Sequence, residues 1–183
     1  FKQKTAYEIR LSLVGSEMCI RDRAAIHRSL LSRGDLRYLW AKHPGWRRHS
    51  VRHPLVGRNF SRAINSCRIF VTTGGIHRNA QPKMFEALAS RTLLMSDEPE
   101  GAMTLGFIDG ETYVRITPED VLDKVDYYLA RPELCERIAE NGYRLAMSRH
   151  SCYARALDLR RLVRPNPADP PLVGFTTSGP QAS

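Results

Sequence analysis

Ile69-Phe70-Val71-Thr72-Thr73-Gly74-Gly75-Ile76-His77-Arg78-Asn79-Ala80-Gln81-Pro82-Lys83-Met84-Phe85-Glu86-Ala87-Leu88-Ala89-Ser90 decides how this chain is read. The apolar run reads as a buried strand, and the glycine pair opens a polar loop. Pro82 then starts a stretch of good helix formers. A strand, a glycine loop and a helix start leave backbone N–H groups and a positive dipole end aimed at one point, which suits a phosphate.

Outward from that stretch, strands and helices alternate. Ala24–Ser32 reads as the end of a helix closed by Gly34, and Leu36–Ala41 as a strand stopped by His43-Pro44-Gly45. Phe60–Ser66 reads as a short helix with Ser61 as its cap, and Arg68–Thr73 and Thr92–Ser96 as strands. A loop with a helical turn, Glu98–Gly106, leads to a turn at Asp109-Gly110 and a strand over Thr112–Ile116. Thr117 then caps a helix with Pro118 first and Asp120 three residues on, running to Ala130. Pro132 opens another over Glu133–Asn141, punctuated by Gly142, and Ser151–Val163 is a last amphipathic helix. The alternation predicts an α/β fold, a Rossmann-like parallel sheet with helices on both faces.

Three boundaries frame it. Met18-Cys19-Ile20-Arg21-Asp22 back-translates as ATG-TGT-ATA-AGA-GAC, the transposase mosaic end of sequencing libraries, so residues 1–23 are read as translated adaptor. The native domain is then expected over 24–163, without its true N-terminus. Residues 164–183, with Pro165, Pro167, Pro170 and Pro171, read as a disordered tail.

Charge is uneven. Ala24–Arg68 holds 10 Lys and Arg against 1 acidic residue, whereas from Ile69 onward the count is 13 against 15. A basic first segment suits a solvated face, nucleic acid, an anionic membrane surface or a phosphate-bearing substrate. No basic–aromatic pattern or zinc-finger spacing accompanies it, so no nucleic-acid partner is expected. Cys67, Cys135 and Cys152 are scattered, which predicts reduced thiols in a cytoplasmic protein rather than a disulfide frame. His49 and His53 share an i, i+4 spacing that Pro54 denies to a helix, so no metal is expected. No run is apolar for long enough to span a bilayer.

Phe85-Glu86-Ala87-Leu88-Ala89-Ser90, Thr92-Leu93-Leu94-Met95-Ser96-Asp97, Asp109-Gly110-Glu111, Pro118-Glu119-Asp120, Arg131-Pro132-Glu133, Ile138-Ala139-Glu140-Asn141-Gly142 and Arg149-His150-Ser151 follow one another in a recognisable order. In that series the chain resembles the C-terminal domain of group 1 glycosyltransferases of the GT-B fold, nearest the spore-maturation-type branch, over about Leu36–Leu162. The resemblance implies a metal-independent, hexosyltransferase-like enzyme that takes a nucleoside diphosphate sugar as donor and needs no further cofactor. It also implies a missing N-terminal domain that brings the acceptor, so this fragment alone is expected to be inactive.

The resemblance assigns Glu86 to the donor ribose hydroxyls and Lys83 to a donor phosphate. Gly74 and Gly75 are expected to serve the loop turn and close backbone approach. Where many members carry a glutamate eight residues before the one matching Glu86, this chain has Arg78, a candidate for a phosphate instead. Arg58, in Gly57-Arg58-Asn59, is another; His77 and His150 are further site candidates, with His150 read first as packing near the cap of the last helix. The arginine at position 78 also fits a second reading, a non-catalytic Rossmann-like binding module. A nucleic-acid-binding protein is a third, resting on the basic segment alone.

Overall fold

The computed structural model describes residues 8–10, 20–39, 56–74 and 78–164. Gly75, His77, His49, His53 and almost all of the Pro-rich tail lie outside them.

The centre is a parallel sheet of three strands in the order β3-β4-β5: β3 Ile69–Thr72, β4 Leu93–Ser96 and β5 Val114–Arg115. Ile69 faces Leu93, Thr72 faces Ser96, and Met95 faces Val114. Every residue of β3 and β4 is buried, because helices cover both faces. On one face Ile69, Val71, Leu93, Met95, Val114 and Ile116 pack with Ile26 and Leu30 of α1 (Ile20–Leu31), Val121 and Val125 of α5 (Val121–Leu129), and Cys135 and Ile138 of α6 (Pro132–Leu145). On the other, Phe70, Leu94 and Tyr113 pack with Ile64 of α2 (Arg58–Asn65), with Met84, Ala87 and Leu88 of α3 (Pro82–Ala89), and with Ala102 of α4 (Ala102–Leu105). The period-2 alternation within each strand sorts the two cores.

Two elements reach into residues 1–23. β1 Glu8–Arg10 pairs in parallel with β2 Arg37–Leu39 in a separate two-stranded sheet, and α1 begins at Ile20 rather than Ala24. No glycine or proline interrupts Ile20–Leu31, so helical backbone continues through it. Among the described side chains of α1, the buried ones, Ile26 and Leu30, lie beyond Arg23.

Four helix boundaries differ from expectation. α2 is capped by Gly57, with φ 53°, and Ser61 sits inside the helix. α5 begins at Val121, since Thr117–Asp120 forms a turn in which the Asp120 carboxylate accepts from Thr117 N–H at 2.7 Å. α6 passes straight through Gly142 to Leu145 and continues as a π-helical turn, Ala146–His150. Gly142 is there for close approach: a Cβ would lie 2.6 Å from Leu88 Cδ2 and 2.7 Å from the Thr112 carbonyl. α7 (Cys152–Val163) starts one residue late because Ser151 is its cap, accepting from Ala154 N–H at 3.2 Å.

Candidate functional site

β3 and β4 end side by side, and their carboxyl ends carry the polar groups. Thr73 and Gly74 follow β3, and Asp97 follows β4. The Asp97 carboxylate accepts from Gly74 N–H at 2.6 Å and from Ser96 Oγ at 3.0 Å, bridging the two strand ends. Two residues before Gly74, the buried Thr72 Oγ1 has no hydrogen-bond partner among the described residues. A Cβ on Gly74 would meet Arg78 backbone at 3.4 Å, so the Arg78 backbone packs closely against the glycine.

Arg78 itself adopts the left-handed region, with φ 51°. Its carbonyl accepts from Glu100 N–H at 2.7 Å, and its guanidinium reaches the Glu98 carbonyl at 3.4 Å. Glu98 also pairs with Arg115 at the end of β5, at 3.3 Å. The loops after β3 and β4 are thus tied into one rim of alternating charge.

α3 rises from this rim. Pro82 is its first residue, and among the described residues no side chain caps its start. Lys83, in the first turn, is buried to 7 % exposure, an uncommon setting for a lysine. Glu86, one turn on, is exposed as a residue, yet partial desolvation of its carboxyl raises its pKa above the usual carboxylate range. Arg58 is the exposed first residue of α2.

His150 stands behind α3. Its ring lies 4.7 Å from that of Phe85, which in turn packs edge-on against Phe107 at 5.5 Å. It therefore supports α3 from the far side of Phe85. Asp97 and Glu98 complete the rim, and the sequence did not single them out as residues, although the loop that holds them was expected to meet the one after β3. Their signal was the Ser-Asp-Glu sequence closing a buried strand.

A polar rim at the carboxyl ends of a parallel sheet, beside a helix start, is where open α/β sheets take their ligands. The family model described as glycosyl transferase-like matches residues 2–161. The chain belongs to this glycosyl transferase-like family. Among curated proteins, none matches it by sequence. Sucrose-phosphate synthase from Thermosynechococcus elongatus is similar in structure, with a TM-score of 0.62 at 16% identity over 87% of this chain. The C-terminal domain of a glycosyl transferase group 1 family protein from Francisella tularensis gives 0.56 at 15% identity, covering 80% of this chain and 87% of that one. These likenesses establish the fold, a Rossmann-like C-terminal half of the GT-B type. The chain spans 45% of the length of the sucrose-phosphate synthase. The family match includes the stretch read as adaptor, since it begins at residue 2.

Proposed function

We propose that this domain binds the nucleoside diphosphate sugar donor of a glycosyltransferase, with the diphosphate over the loop after β3 and the start of α3. The observation that carries the reading is the meeting of Gly74, Arg78 and the Asp97–Glu100 loop at the foot of α3. Departure of the sugar leaves negative charge on the diphosphate, and a lysine, an arginine and a helix dipole stabilise it without a metal. Lys83 and Arg78 take the phosphates, and Glu86, as carboxylate, accepts from the ribose hydroxyls. The acceptor is brought by a preceding domain, as in the two-domain arrangement that the resemblance implies, and the spore-maturation-type branch remains our placement within the family. Genomic DNA upstream of the Ala24 codon tests the framing: an open frame of on the order of 150 residues supports the two-domain enzyme.

Calorimetric titration with uridine and guanosine diphosphate sugars tests the site. Glu86→Ala is expected to weaken donor binding about tenfold, the value of one charge-assisted hydrogen bond, with the fold unchanged. Unchanged affinity would sink the ribose role.

A second reading, a non-catalytic binding module, is favoured by one observation. The Gly74 N–H expected to face a phosphate already donates to a carboxylate, Asp97. That reading predicts no diphosphate affinity in the wild type, and an affinity gained in Asp97→Asn.

A further inference from the structure

We propose that the groove between the end of α4, the π-helical turn and α7 is a binding site for a phosphate ester. It encloses about 360 Å³, and none of its lining residues belongs to the rim at the strand ends. That volume exceeds one phosphate group and leaves room for an organic part. The inference stands independently of the donor-site reading.

Among the described residues, three guanidiniums, from Arg149, Arg155 and Arg161, line it against one carboxylate, Asp158. Arg149 is held in place from two sides. Its Nη2 donates to the Thr104 carbonyl at 2.9 Å, and its Nη1 lies over Gly106, where a Cβ would come within 3.1 Å. Gly106 has φ +81°, so its backbone also excludes a side chain.

His150 is fixed as one tautomer. Its Nε2 meets the Leu105 carbonyl at 2.8 Å, and a carbonyl only accepts, so Nε2 carries the proton. Its Nδ1 meets Arg155 Nη2 at 2.8 Å, and a guanidinium only donates, so Nδ1 is bare. The ring is neutral, and Arg155 is aimed by it. Burial lowers the His150 pKa, and the fields of Arg155 and Arg149 lower it further despite the opposing Leu105 and Asp158.

Asp158 balances this charge without capturing it. It lies 3.6 Å from Arg155 Nη1 and 3.7 Å from Arg161 Nη1, within ion-pair range but beyond good hydrogen-bond length. Guanidiniums converging from two elements suit the several oxygens of a phosphate better than one distant carboxylate.

The test is titration of the full 183-residue chain with inorganic phosphate at constant ionic strength, followed through the imidazole resonances of His150. Saturable shifts are expected, with Arg155→Gln and Arg161→Gln each weakening binding about tenfold. Asp158→Asn is expected to tighten it about threefold by removing the competitor, a gain that misfolding does not imitate. Competition by glucose 6-phosphate identifies a soluble ester, and co-sedimentation with phosphatidic acid vesicles that Arg155→Gln abolishes identifies a lipid headgroup. The proposal is overturned if phosphate binds without moving His150, if Asp158→Asn leaves affinity unchanged, or if binding is lost in Lys83→Gln instead.

Discussion

α6 and α7 are neighbouring helices with the same period and opposite fates. In α6, Cys135, Ile138, Ala139, Gly142 and Leu145 fall at helical spacing and are all buried. In α7, Ala154, Leu157, Asp158 and Arg161 fall at the same spacing toward the domain, but none is fully buried. Apart from Leu157, its larger apolar residues, Tyr153, Leu159, Leu162 and Val163, are exposed. Helical period fixes which residues share a face; what lies beneath decides which face turns inward. Under α6 lies a buried sheet, and under α7 a groove lined by arginines. The joint between them is the π-helical turn with His150 at its end.

The contrast is broken most sharply by paired truncations. Ile138→Ala, in the core under α6, is expected to cost about 2–5 kcal/mol, whereas Leu159→Ala on α7 stays within about 0.5 kcal/mol. Urea unfolding of both variants measures the difference, and equal losses would mean that α7 is packed as α6 is. Gly142→Ala comes next. Its new methyl meets the Thr112 backbone and Leu88, for an expected loss of about 1–3 kcal/mol in the same assay. A neutral result would deny the close approach of α6 to the sheet.

The smallest expected effect sharpens the joint. The folded-state pKa of His150 is depressed below its ordinary 6.5. Below that pH the unfolded chain binds the proton more readily, so stability from neutral His150 is present above pH 6.5 and is lost as pH falls through the folded pKa. Wild type is expected to lose more stability than His150→Gln between neutral and acid pH, read from urea midpoints. Parallel pH profiles would remove His150 from the joint.

Much of this was legible beforehand. The buried strands at Ile69–Thr72 and Leu93–Ser96 were apolar runs bounded by turn residues, and Pro82 announced α3 from local geometry alone. Gly142 misled because a glycine late in a helix reads as a stop, and only the neighbouring Thr112 carbonyl shows it to be a contact. Ser61 misled for a related reason: Gly57, four residues earlier, supplied the cap. At the site, Lys83, Glu86, Gly74 and Arg78 were named from order along the chain. Asp97 and Glu98 were not, since a carboxylate on the next strand becomes a partner of Gly74 and Arg78 only when β3 and β4 pair.

The sequence by itself determined the alternation of elements, the two apolar faces of each central strand and the family, because period and order are local properties of the chain. The tertiary structure alone decided that Asp97 sits on the Gly74 N–H, that Gly142 is a point of contact and that α7 turns Arg155 and Arg161 toward a groove. Each depends on which surfaces meet after strands far apart in sequence have paired.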